Sequence, residues 1–254
     1  MLIALFIDDM DRQKRGETNM GVPLNLTILM PCLNEEANIA FCIEQAKNYI
    51  ASRKLTAEIL VVDNNSTDQS AEIAISSGAT VIREIRRGYG RALRTGLSAS
   101  QGNVIIFGDC DSTYDFSDLD SIYLPLAEGR YDFVTGDRFA GQMEKGAMSL
   151  PHKLGVPFLS WCGRVKFGVK IHDWHCGIRG IRRDSLEKCV FKTDGMEFAT
   201  EMIAEVSRKG FRIGEVSVPL RKSRNERQEK LRTIRDGFRH LWYIIYSKTD
   251  RSKE

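Results

Sequence analysis

The order of apolar runs and helical segments predicts an α/β fold with a mostly parallel central sheet flanked by helices. Two observations carry that expectation. Short β-rich runs alternate with segments whose apolar residues recur every three or four positions, the pattern of successive βαβ units. Three polar clusters, Pro31–Glu35, Asp63–Asp68 and Asp109–Thr113, directly follow three of those runs. In parallel sheets ligands bind beyond the carboxyl ends of the strands, so these clusters are expected to share one rim.

Leu26-Thr27-Ile28-Leu29-Met30 reads as a first strand, stopped by Pro31. Asn34-Glu35-Glu36 opens a helix marked by Ile39, Cys42, Ile43, Ala46 and Ile50. A second strand, 58–63, is closed by Asn64-Asn65-Ser66-Thr67; Asp68 begins a helix that Gly78 ends. A third strand at 80–83 leads through a glycine-bearing turn to a helix around 92–99, and 103–107 form a fourth strand. Beyond Asp115 the alternation loosens. Strands are expected at 132–136, 176–181 and 212–220, and helices at 151–168, 195–209 and 228–247. No repeat or composition break interrupts the chain, so residues 22–254 read as one domain behind a poorly ordered leader, 1–21.

Composition narrows the class. With 42% hydrophobic and 28% charged residues, the 254-residue chain has enough apolar surface for a sizeable core. A net charge of +3 is too small to imply nucleic acid, although Arg221, Lys222, Arg224, Arg227, Lys230, Arg232, Arg235 and Arg239 crowd one late segment. The six cysteines include no CxxC pair, which suits a reducing, cytoplasmic compartment. His172-Asp173-Trp174-His175-Cys176 lacks a second ligand cluster at zinc-site spacing. The start of the chain lacks the basic region and cleavage site of a signal peptide, and no stretch reaches transmembrane length.

Gly108-Asp109-Cys110-Asp111-Ser112-Thr113 ends the fourth strand with two aspartates one residue apart. Adjacent carboxylates repel, and taking either out of water is costly unless a cation compensates. A hard divalent ion held by these carboxylates and by substrate phosphates answers that requirement. A solvated acidic turn is the plain alternative.

At this point the chain resembles a known family. "PCLNEE", "VVDNNSTD", "RRGYGRAL", "GDCDST" and "GMEFATEM" occur in the order and spacing of family-two glycosyltransferases of GT-A fold, a Rossmann-like nucleotide-diphospho-sugar transferase architecture. The resemblance runs from about Leu26 to Ile245. It points to the branch containing dolichyl-phosphate mannose synthase and polyprenyl-phosphate glycosyltransferases. It implies a nucleotide-sugar-binding half, 22–115, and an acceptor-binding half, 116–254. Donor contacts are implied for Pro31, Glu35, Asp63, Arg87, Gly88, Gly90, Asp109, Cys110 and Arg138. Asp63 is chemically suited to accept a base N–H, though turn capping is the ordinary role of such a residue; Asn64 stands where many relatives carry a second aspartate. Gly88 and Gly90 either let the backbone approach the nucleotide or make a plain turn. Asp109 and Asp111 are the implied ligands of Mg²⁺ or Mn²⁺, with Thr113 beside them.

"DWHCGIRGIRRD" resembles the branch's Asp-x-x-x-Gly-Phe-Arg element, with Ile178 in place of the aromatic, and matches Asp173 and Arg179. "RNERQEKL" keeps the branch's arginine-to-lysine spacing in Arg224 and Lys230 and adds Arg227, but lacks its usual glycine and serine. These cations imply a phosphate acceptor. An acceptor hydroxyl would instead need a carboxylate base, for which Asp173 and Glu197 are the candidates; Glu197 equally suits a helix start. The expected activity is sugar transfer from a UDP- or GDP-sugar to a polyprenyl phosphate, with inversion. A glycosyltransferase acting on hydroxyls and a non-catalytic nucleotide-sugar-binding protein are the alternatives. The last helix carries Phe238, Leu241, Trp242, Ile244, Ile245 and Tyr246 beside Arg235, Arg239 and Lys248. Such a face fits either peripheral contact with the inner surface of a membrane or packing on the core.

Overall fold

The computed structural model describes residues 24–224 and 233–247, so the leader, Arg227, Lys230 and Lys248 lie outside the described residues. Seven strands form one sheet: β1 (Leu26–Cys32), β2 (Ala57–Asp63), β3 (Thr80–Arg83), β4 (Val104–Phe107), β5 (Phe133–Asp137), β6 (Arg179–Arg182) and β7 (Ile213–Ser217). Their spatial order is β3-β2-β1-β4-β6-β5-β7. β1 to β4 run parallel, as does the β5–β7 pair, while β6 is antiparallel to both β4 and β5. This is the mostly parallel, helix-flanked sheet of a GT-A fold.

Period-two alternation explains how β1 serves two layers. Leu26, Ile28 and Met30 enter one core with helices α1 (Ile39–Arg53) and α2 (Ser70–Ser76), while Leu29 enters the other. That second core holds Leu93 and Leu97 of α3 (Tyr89–Ala99) and Met202 and Ile203 of the helix at Phe198–Arg208.

The structure departs from the expected elements at identifiable points. β1 continues through Pro31 to Cys32, because β4 pairs with it only as far as Leu29 and leaves Pro31 no ladder to complete on that side. A helix the sequence reading missed, α4 (Asp120–Ala127), buries Ile122 and Leu126 one turn apart despite Pro125. The long α5 (Leu150–Phe167) starts with Pro151 in its first turn, where a missing N–H costs nothing. A single turn, α6 (Arg183–Leu186), follows β6; α7 (Phe198–Arg208) and α8 (Thr233–Tyr246) complete the described helices.

β6 starts at Arg179 rather than Cys176, and the reason is that side chain. Arg179 is 2% exposed. Its Nε donates to the Cys176 carbonyl, Nη1 to Ala199 and Nη2 to Trp174, at 2.6–2.8 Å. The guanidinium thereby locks the loop before β6 onto the start of α7. Replacing Arg179 by Met leaves those carbonyls without their donors, and the expected loss of stability is about 3 kcal/mol or more. Urea denaturation measures it; a variant as stable as the wild type would contradict the assignment.

Candidate functional site

The three polar clusters meet at one edge of the sheet. Cys32 and Asp63 are register partners at the ends of β1 and β2, and Gly108 follows the last residue of β4. The first two loops are stitched together. Thr67 N–H donates to Asn34 Oδ1, Glu35 N–H to Ser70 Oγ, Glu36 N–H to Asp68 Oδ2 and Gln69 N–H to Glu36 Oε2. Glu35 also accepts from the Asn38 amide. Each rim loop carries one non-glycine residue in the left-handed region: Asn34 (φ 51°), Asn65 (φ 63°) and Ser112 (φ 65°). Asn tolerates that conformation, whereas Ser112 carries a cost of about 1 kcal/mol or more that its surroundings must hold in place.

Asp63 is 3% exposed, and its Oδ1 accepts the Ser66 N–H at 3.1 Å. It therefore caps its own turn at the strand end, while keeping its place on the rim. Asn64 has a structural job: its amide donates to the carbonyls of Glu84 and Arg86, and its Oδ1 accepts the Gly88 N–H. Arg87 stays at the surface and donates to the Asn65 carbonyl.

The glycines of "GYG" answer a close approach within the protein itself. A Cβ on Gly88 would lie 2.3 Å from the Asp194 carbonyl oxygen, and one on Gly90 would lie 2.6 Å from that of Thr193. Gly90 N–H and Arg91 N–H donate to Gly195 and Asp194. Both glycines serve close approach to the 193–195 backbone, and the nucleotide is not needed to explain them.

The metal-candidate loop is tightly built. Asp111 is 2% exposed, and its Oδ1 accepts both the backbone N–H and the hydroxyl of Thr113. Thr113 orients the carboxylate from behind. Cys110, expected near the donor, points into the core instead and donates its thiol to the Pro31 carbonyl at 3.2 Å. Asp109 is made room for by Gly177, where a Cβ would come within 2.5 Å of its Oδ2. Burial and the neighbouring Asp109, which accepts from it, push the Tyr89 hydroxyl well above its ordinary range. Gly177 and Tyr89 are site residues that sequence reasoning missed; a lone glycine before a strand and an aromatic opening a helix carry no signal by themselves.

Four of the expected site residues are already engaged within the protein. Arg138 and Asp173 form one bidentate ion pair, Nε–Oδ2 2.6 Å and Nη2–Oδ1 2.9 Å. Asp173 also accepts the backbone N–H groups of Arg138 and His175. It is fully buried and saturated with donors, which disqualifies it as a general base, and Arg138 is correspondingly engaged. Arg179 holds three carbonyls and is enclosed, so it has no reach toward an acceptor phosphate. Glu197 pairs with Arg239 through Oε1 at 2.7 Å, while its buried Oε2 has no hydrogen-bond partner.

The late basic segment reaches the rim directly. Arg221 N–H donates to the Thr113 carbonyl, Ser223 Oγ to the Asp111 carbonyl, and Arg224 N–H to Ser112 Oγ. The Arg221 guanidinium pairs with Asp115, and that of Arg224 lies 4.1 Å from the centre of the Phe41 ring. Arg224 thus sits against the Asp-x-Asp loop on an aromatic platform. The last helix has two faces: Ile244 and His240 are buried, whereas Phe238, Trp242, Ile245 and Tyr246 stay exposed. Among the described residues no helix is long and apolar enough to cross a membrane.

Residues 27–190 match the family model for glycosyl transferase family 2. The chain belongs to that family. It is 36% identical over 221 residues to the low-salt glycan biosynthesis hexosyltransferase Agl6 of Haloferax volcanii, covering 87% of this chain and 53% of the relative, or about half its length. The dolichyl-phosphate hexose transferase of the same organism is 30% identical, covering 80% of this chain and 85% of that one. A solved glycosyltransferase-fold neighbour is glucosyl-3-phosphoglycerate synthase from Mycobacterium tuberculosis, with Mn²⁺, UDP and glucosyl-3-phosphoglycerate bound. It superposes with a TM-score of 0.70 at 23% identity, covering 94% of this chain and 83% of the neighbour, a likeness of fold.

Between the loop before β6 and α8, His175 and His240 meet edge to face at 4.4 Å, and the Thr200 hydroxyl of α7 lies 2.8 Å from His240 Nδ1. Burial, with Arg179 and Arg239 adding to it, pushes His240 down to about 3, and burial and His240 hold His175 well below its usual range. The unfolded chain takes up a proton on His240 near 6.5, while the folded chain resists it down to about 3. Stability from this histidine is therefore full above pH 6.5 and falls as pH drops from there toward 3. His240→Asn should flatten that fall, read as the change in urea midpoint between neutral pH and about pH 4.5. Identical acid dependence in the two proteins would contradict it.

Proposed function

We propose that the protein is a metal-dependent glycosyltransferase that moves a sugar from a UDP- or GDP-sugar to a polyprenyl phosphate, with inversion. The observation that carries this reading is the attachment of segment 221–224 to the Asp111–Thr113 loop. Transfer between a nucleotide sugar and a phosphate must bring two anions together, and this contact ties Arg224 to the loop that carries Asp109 and Asp111. The name of the Haloferax volcanii dolichyl-phosphate hexose transferase supports the same acceptor class.

The donor set fits a hard divalent ion. Asp109 and Asp111 offer only oxygen, Thr113 fixes the second carboxylate, and Gly177 leaves space at the first. Among the described residues no group of three or more His, Cys, Asp or Glu forms a closed cage, so diphosphate and water would complete the shell, the usual partition for Mg²⁺. When bound, Mg²⁺ or Mn²⁺ supplies Lewis-acid neutralisation of the departing nucleoside diphosphate. Pro31, Glu35, Asp63 and Arg87 border the nucleotide side of the rim. A phosphate acceptor is already ionised at neutral pH and needs no strong base; it needs cations, which Arg224 provides together with Arg227 and Lys230 further along the sequence.

One observation favours a second reading. Glu197 keeps one buried carboxylate oxygen without a hydrogen-bond partner, so a hydroxyl acceptor would have a candidate base there. A transfer assay offering polyprenyl phosphate and a panel of hydroxyl acceptors separates the two. Asp111→Asn is expected to lower transfer about 100-fold or more, roughly 2.7 kcal/mol, with an unchanged melting curve. Arg224→Ala should lower transfer to polyprenyl phosphate by about tenfold. Chelator-resistant activity in Asp111→Asn would remove the metal, and transfer only to hydroxyls, with Arg224→Ala behaving as wild type, would remove the lipid phosphate.

A further inference from the structure

Helix α5 is apolar on two opposite faces. Val156, Ser160, Gly163 and Phe167 face the core. Leu150, Leu154, Phe158, Trp161 and Val165 are each more than half exposed. At 3.6 residues per turn these five fall within an arc of about 80°, a continuous stripe along the helix. A globular protein gains nothing by leaving such a stripe in water, and patches of this kind mark interaction surfaces.

The stripe does not stand alone. α5 packs on α8, and Lys166 Nζ donates to the Ile245 carbonyl. The exposed Phe238, Trp242, Ile245 and Tyr246 of α8 repeat the pattern, with the Trp242 and Tyr246 rings 4.1 Å apart. Charge selects the occupant. No acidic residue occurs between Glu144 and Asp173, while Lys153, Arg164, Lys166 and Lys170 all lie in that stretch. Along α5 aromatic and aliphatic side chains edged only by bases suit the headgroup boundary of an anionic bilayer; α8 adds Arg235 and Arg239, with one acid, Asp236, in its first turn. A protein partner of ordinary surface composition gives no reason to exclude acids from the helix.

We propose that α5 and α8 together form a docking face for an anionic lipid bilayer, with α5 supplying the longer apolar stripe. The inference deepens the lipid-acceptor reading by naming the surface that would bring the rim to its substrate. The binding itself needs neither donor nor acceptor.

The test uses the full chain and vesicles of phosphatidylcholine, alone or mixed with phosphatidylglycerol. The wild type should sediment with the mixed vesicles and less so at high salt, because exposed charge is screened. Trp161→Glu and Leu154→Glu, both at exposed positions, should weaken that binding by about tenfold or more with unchanged melting curves. In Trp242→Phe the remaining exposed tryptophan, Trp161, should shift its emission to the blue on mixed vesicles, since Trp174 is already buried. Equal sedimentation of wild type and both variants, or no blue shift, overturns the proposal. So does a wild-type dimer that Trp161→Glu converts to monomer without any vesicle binding, which would assign the face to a second copy. Transfer to detergent-dispersed polyprenyl phosphate, measured in parallel, reports on the acceptor reading separately: it can persist when vesicle binding fails.

Discussion

A buried guanidinium must find acceptors for its N–H groups, and the far half of this rim is organised around that demand. Arg179 ties the carbonyls of Trp174 and Cys176 to that of Ala199, so the loop before β6 and the start of α7 move as one piece. Within that loop Asp173 holds Arg138 at the end of β5, and Gly177 leaves the space in which Asp109 sits. The near half has the simpler logic of parallel strands ending together. Two different constraints have therefore built one edge.

The cations show how one charge type does several jobs. Arg138 and Arg179 are enclosed and structural, Arg221 and Arg239 are paired with Asp115 and Glu197, and Arg224 lies over the Phe41 ring beside the Asp-x-Asp loop. Sequence spacing treats them alike because it carries no burial. Only the last is placed as a residue that grips a ligand would be: backbone fixed, guanidinium at the surface. The left-handed Ser112, hydrogen-bonded to Asn38 and to the Arg224 backbone, joins that cation to the metal-candidate loop.

Much of the fold was legible because burial writes itself as periodicity. The first four strands and their helices follow from apolar runs and turn residues, and the rim follows from what comes after each run. α4 was not legible, since Pro125 contradicts the helical spacing of Ile122 and Leu126. The antiparallel β6 was not either, because direction is set by pairing and not by local pattern. In the candidate site, the place of Asp63, Asp109 and Asp111 at strand ends was legible from the runs that precede them. The direction of the Cys110 side chain and the backbone that Gly88 and Gly90 approach were not legible, because a motif gives adjacency and not the direction in which a side chain points or what a Cβ would strike. The exposed stripe of α5 was hidden for a similar reason: its residues look like core until the structure shows which face is covered.

The central claim is that this rim holds a nucleoside diphosphate through a divalent ion at Asp109 and Asp111. Calorimetric titration of the protein with UDP and GDP, with and without Mg²⁺ or Mn²⁺, tests it most directly. The account predicts that one of the two binds and that the metal tightens its binding by about tenfold or more, about 1.4 kcal/mol. Binding of neither nucleotide, or an affinity indifferent to a chelator, would contradict it.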